Sequence, residues 1–200
     1  MKALKRLLRK IWRMFHPKQM ESIDPFKELE ARGLKIGESS KKRMHSPEGI
    51  DRMFPWLIEI GENCGFSVNV VILSHDASTG FSNGYTKMGR VRIGDGVFVG
   101  YGTTILCGVT IGDNVIIGAN SLVSDDIPSN CVYAGNPARF ICTFDEYRER
   151  HAEEIERLPI LDHDWVYWSR QASDEEKSEV VEQLKKSKIC YIKSNMDPVK

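Results

Sequence analysis

Apolar residues in the middle of this chain return at every sixth position. From Ile93 the aliphatics fall at Ile93, Val99, Ile105, Ile111, Ile117 and Val123, and a second row two residues earlier holds Val91, Val97, Thr103, Val109, Val115 and Ser121. A period of six fits neither a helix of roughly 3.6 residues per turn nor a plainly alternating strand. It fits a coiled strand that turns a corner after each hexad, three corners to a circuit, with both rows pointing inward. Gly or Asn stands at the corners, at Gly94, Gly96, Gly100, Gly102, Gly108, Gly112, Asn114, Gly118 and Asn120. These residues tolerate positive φ where a chain bends sharply. An antiparallel meander would vary its strand and turn lengths, and this stretch keeps both constant.

The pattern weakens towards both ends. Upstream, Leu34-Lys35-Ile36-Gly37, Ile50, Ile60-Gly61, Phe66-Ser67 and Ile72-Leu73 give imperfect hexads interrupted near Pro47 and Pro55, so the coil begins near residue 34. The period fails over Asp76–Arg90, DASTGFSNGYTKMGR, and then resumes, which predicts a segment that leaves the coil and returns to it. After Val123 the chain is expected to leave the coil, running through Gly135-Asn136-Pro137-Ala138-Arg139. Thr143 with Glu146 is a capping box opening a helix that ends before Pro159, and Ser173 with Glu176 opens another to about Ser187. A short helix over Phe26–Leu34 ends at Gly33, and the aromatic stretch Leu161–Trp168 is expected to pack on the coil. Residues 2–15, KALKRLLRKIWRMF, place Leu4, Leu7, Leu8, Ile11, Trp12 and Phe15 on one helical face and cations on the other. The fold class is therefore mainly β: a parallel β-helix of hexapeptide repeats with an extruded loop, an N-terminal amphipathic helix and C-terminal helices. It divides into a basic helix and connector over 1–33, the repeat domain over 34–139, and a helical extension over 140–200.

Charge narrows the partners. Lys plus Arg equals Asp plus Glu at 28 each, so no net charge points to nucleic acid. Residues 1–20 nevertheless carry seven Lys and Arg and no acid. Two placements fit that helix: lying on anionic lipid through residues 1–16, or packing on the rest of the protein. Five cysteines without a C-x-x-C pair are expected to be reduced thiols of a cytoplasmic protein, and no apolar run is long enough to span a membrane.

One histidine, His75, lies between residues 46 and 150, at the junction of repeat and extruded segment. Imidazole is the side chain suited to proton transfer near neutrality, which makes His75 the candidate catalytic residue.

The hexads, the run Ser74-His75-Asp76-Ala77-Ser78-Thr79, the loop end Gly84-Tyr85-Thr86-Lys87-Met88-Gly89 and the segment Gly135–Arg139 resemble the hexapeptide-repeat O-acetyltransferases, in particular their capsule, exopolysaccharide and lipopolysaccharide branch. The resemblance covers about residues 34–147. It implies a left-handed coil, a homotrimer, and acetyl-CoA bound between neighbouring subunits with no metal. It implies His75 as general base, removing a proton from a sugar hydroxyl that attacks the thioester, with Asp76 either orienting the imidazole or standing as a solvated loop carboxylate. Small residues lining the pantetheine arm fall on Gly100, Gly118, Ala119 and Ser124, and the cation facing the coenzyme phosphates falls on Arg139. Asp125 stands where relatives often have Lys. Trp56 and Tyr85 are expected to stack on a sugar ring, with core packing the other reading for Trp56. The branch implies a glycan acceptor, and the basic amphipathic N-terminus would put such an enzyme at the inner face of the membrane. The alternatives are a small-molecule acetyltransferase acting on streptogramins, serine or amino sugars, and a non-catalytic scaffold. A carbonic anhydrase of this repeat type needs a three-His zinc site, for which the coil has too few His.

Overall fold

The computed structural model describes residues 24–44, 46–161 and 171–192. The basic amphipathic helix expected over residues 2–15, with its membrane contact, lies outside these residues, as does the aromatic stretch from residue 162 to 168.

The hexads wind into a coil with three faces. The first face stacks Lys35–Ile36, Ile58–Ile60, Val91–Ile93 and Thr110–Ile111; the second stacks Gly65–Phe66, Phe98–Val99, Val115–Ile117 and Cys131–Ala134; the third stacks Val71–Ile72, Thr104–Ile105 and Leu122–Val123. Neighbours within each stack pair in parallel. Ile93 lies over Ile111, Val99 over Ile117 and Ile105 over Val123, each pair one circuit of three hexads apart. Ile60 over Ile93, Phe66 over Val99 and Ile72 over Ile105 are further apart in sequence because residues 76–90 leave the coil within that circuit.

Both inward rows are buried, none of their members from Val91 to Val123 being more than 3% exposed. Burying each aliphatic contributes about 1.5–3 kcal/mol, so the rows hold the circuits together. Thr103 and Ser121 are tolerated among them because both hydroxyls donate to the Gly118 carbonyl, at 2.9 and 2.7 Å. The corner residues divide into two kinds. Gly96, Gly102, Gly108, Asn114 and Asn120 adopt positive φ. Gly100 serves close approach instead: a Cβ there would lie 2.5 Å from the Ala119 amide nitrogen of the next circuit.

The coil extends beyond the last regular hexad. Ile127 bridges Ile111 on the first face, and Cys131–Ala134 pairs with Val115–Ile117, so a shortened circuit follows Val123 where the sequence pattern predicted an exit. Only then does Arg139–Thr143 fold back antiparallel on Cys131–Ala134. Helices Phe144–Arg157 and Asp174–Lys186 carry the expected capping boxes, and Ile160–Leu161 pairs in parallel with Tyr191–Ile192. At the other end a short helix, Lys27–Ala31, is followed by Gly33 at φ +98°. Among the described residues no helix is long and apolar enough to cross a membrane. All five cysteines are free.

Candidate active site

The extruded segment is an ordered ribbon. His75–Asp76 pairs antiparallel with Lys87–Met88, His75 opposite Met88 and Asp76 opposite Lys87, and a short helix, Ser78–Asn83, forms the tip. Thr79 pins it from inside, its Oγ1 donating to the Tyr85 carbonyl at 2.6 Å and accepting from the Lys87 amide at 3.1 Å. The ribbon rejoins the coil where the Gly89 amide donates to the Ser74 carbonyl at 3.0 Å. His75 is thereby fixed at the corner between the third and first faces.

The imidazole meets a carboxylate that the sequence pattern did not single out. Asp51 follows Ile50, which bridges Ile72, and its amide donates to the Ile72 carbonyl at 2.9 Å, so it lies over the strand that runs into Ser74 and His75. Asp51 Oδ2 accepts from the Ser74 amide at 3.0 Å, from Ser74 Oγ at 2.7 Å, and from His75 Nδ1. Oδ1 accepts from the Met53 amide at 2.8 Å. Burial works against the charge, but the bonds from Ser74, Met53 and His75 outweigh it and hold the carboxyl below the usual aspartate range. An ionised Asp51 can only accept, so Nδ1 carries the proton and Nε2 is left to exchange one.

Asp76 does not fill the orienting role. Its Oδ1 accepts from the Ser78 amide at 2.8 Å, and the bonds from Ser78 hold its carboxyl below the usual range. It is a solvated carboxylate that shapes the ribbon, while Asp51 orients the histidine.

Aromatic side chains border the imidazole. The Phe54 ring stands edge-to-face against His75, centroids 5.3 Å apart, and against Trp56 at 5.5 Å. Trp56 is 55% exposed, so it is not a core residue, and Tyr85 on the ribbon is exposed as well. The segment carrying Asp51, Phe54 and Trp56 is clamped from the short helix Lys27–Ala31 and its C-cap: Arg52 pairs with Glu28 at 2.6 Å, and Arg32 donates to the Met53 carbonyl at 3.4 Å. Gly33 is needed there because a Cβ would come 2.7 Å from Trp56 Cβ. The only sign of this arrangement in the sequence is that DRMFPW interrupts the first circuit.

The remaining expected residues fall at two corners of the coil. Gly100, Gly118 and Ala119 stack at the corner between the second and third faces, beside Val68 and Tyr101 on neighbouring circuits. Ser124 stands at the same kind of corner as His75, two circuits on, and its Oγ donates to Asp125 Oδ2 at 2.9 Å. Arg139 Nη1 lies 3.4 Å from that same Asp125 oxygen, so the cation expected to meet phosphate already has an acidic partner. Among the described residues no three His, Cys, Asp or Glu side chains converge as a metal site would require.

Residues 90–125 match the sequence family described as bacterial transferase hexapeptide (six repeats). Over that stretch the chain is similar to the hexapeptide-repeat transferases. Similar relatives include YvoF of Bacillus subtilis, which carries an acetyltransferase name and is 40% identical over 106 residues, 53% of this chain and 59% of that one. CapG of Staphylococcus aureus is 35% identical over 113 residues, 54% of this chain and 66% of its own. A rice protein named as a serine acetyltransferase is 45% identical over 84 residues, 42% of this chain and 27% of its own. Each match thus spans less than two thirds of the relative's length.

Proposed function

We propose that this hexapeptide-repeat protein is an acetyl-CoA-dependent O-acetyltransferase that acetylates a hydroxyl of a sugar or surface-polysaccharide unit, with His75 as general base. The observation that carries the reading is the His75–Asp51 contact at the ribbon junction. An imidazole held at Nδ1 by an ionised, buried carboxylate has Nε2 free for a proton and its developing positive charge balanced. In the reaction, Nε2 takes the proton of the acceptor hydroxyl as that oxygen bonds to the thioester carbonyl carbon. The carbon–sulfur bond breaks, and the imidazolium returns the proton to the leaving thiolate. Acetyl ester and free coenzyme A are the products, and the base is restored.

The coenzyme's arm is assigned to Gly100, Gly118, Ala119 and Ser124 and its phosphates to Arg139, in a left-handed coil assembled as a homotrimer. The outward apolar ridge of Val68, 61% exposed, and Tyr101, 50% exposed, beside Ala119 supports that assembly, because a neighbouring subunit would cover it. A neutral glycan acceptor is supported by exposed Trp56 and Tyr85 near a ribbon with few charges. Placement at the inner face of a membrane rests on the basic residues 1–16; the protein is then expected to sediment with anionic vesicles and come off in high salt, and vesicle binding unchanged by removal of those residues contradicts it.

The test is an acetyl-CoA consumption screen across free sugars, nucleotide sugars, oligosaccharides, amino sugars, serine and streptogramin. Turnover is expected with a saccharide hydroxyl. Preference for serine, as the rice relative's name would have it, or for an amine, refutes the glycan acceptor.

A further inference from the structure

Asp51 fixes the His75 imidazole at one atom, Nδ1. A ring held at a single point can still swing, so its plane needs a second contact. Phe54 supplies it: the two rings cross at 82°, with Phe54 half-buried. Phe54 in turn crosses Trp56 at 87°. Its backbone is tied down, the Leu57 amide donating to the Phe54 carbonyl at 3.0 Å with buried Pro55 between them. The orienting carboxylate, the ring beside the imidazole and the exposed indole therefore sit on one clamped segment, residues 51–56.

We propose that Phe54 is a positioning residue for His75, coupling the plane of the imidazole to a pyranose ring stacked on Trp56. The proposal deepens the acetyltransferase reading and rests on it. The ligand class follows from the surface: Trp56, Met53 and Met88 are all more than half exposed, and Met88 is the cross-strand neighbour of His75. Exposed apolar side chains of this kind suit the C–H face of a neutral sugar. A sugar seated on Trp56 stops the indole turning; the indole holds Phe54, and Phe54 keeps Nε2 aimed at the acceptor hydroxyl. Small errors in that aim are expensive, because proton transfer needs hydrogen-bond geometry.

The experiment uses the full-length protein labelled with nitrogen-15 histidine, the His75 signals being assigned by their loss in His75→Ala. Wild type shows a single tautomer with the proton on Nδ1. Phe54→Leu keeps an apolar side chain and the fold, shifts the His75 signals towards a tautomer mixture, and lowers kcat about tenfold with the KM for acetyl-CoA unchanged. Phe54→Tyr restores both readouts, and Phe54→Met replaces Phe54→Leu should the latter not fold. Unchanged His75 signals in the folded Leu or Met variant overturn the proposal. Wild-type turnover in His75→Ala rejects the base itself, and the imidazole signals still report whether Phe54 fixes the ring.

Discussion

His75 and Asp51 stand 24 residues apart in sequence and share a hydrogen bond, from imidazole Nδ1 to a carboxylate oxygen that Ser74 also donates to. The neighbouring acid in sequence, Asp76, points its carboxylate at Ser78.

That contrast is testable in a pair of variants. Asp51→Asn puts an N–H opposite Nδ1, which favours the wrong tautomer, and turnover is expected to fall about 100-fold or more. Asp76→Asn can still accept from Ser78 and is expected to stay within roughly twofold of wild type. Steady-state kinetics of the two folded variants decide the matter, and equal losses contradict the assignment.

The same carboxylate gives a pH signature in stability. Its folded pKa is held below the ordinary aspartate value, so the stabilisation is complete above about pH 4 and is lost as pH falls through the folded value. The difference in unfolding temperature between wild type and Asp51→Asn is therefore expected to be largest near neutrality and to shrink below about pH 4. A difference that stays constant down to acid pH contradicts an ionised Asp51.

The inward row gives a packing prediction. Ile105 has no exposed surface, and Ile105→Ala is expected to cost about 2–5 kcal/mol in chemical denaturation. Thr110→Ala on the outer side of the first face is expected to cost less than about 0.5 kcal/mol. Equal costs would mean that the coil is not wound as described.

The period of six made the coil legible in the sequence, because burial acts on every face of the coil in the same way and stamps the same residue types at Ile93, Val99 and Ile105. The capping boxes at Thr143 and Ser173 were legible because they are local. The shortened circuit through Ile127 was not, since dropping two residues at one corner removes the period while the pairing survives. Asp51 and Phe54 were hidden for another reason. They act on His75 from the previous circuit, and only the winding of the chain brings residue 51 over residue 75. Asp125 was legible as an acid where the resemblance implies Lys, but its contact with Arg139 was not, because the two meet only once the chain folds back.

Arg139 and Asp125 make a prediction about the coenzyme. Arg139→Ala is expected to weaken coenzyme A binding, and Asp125→Asn, by releasing the guanidinium, to strengthen it by about twofold to fivefold at low salt, with the gain fading as salt is added. Calorimetric titration of the two variants checks this. Weaker binding by Asp125→Asn would place the phosphates elsewhere.

The most direct measurement is acetyl transfer by His75→Ala, with coenzyme A binding to the same variant measured by calorimetry. Turnover is expected to fall roughly 100-fold to 10,000-fold while coenzyme affinity stays within about threefold of wild type. A folded variant that turns over at close to the wild-type rate would contradict His75 as the base.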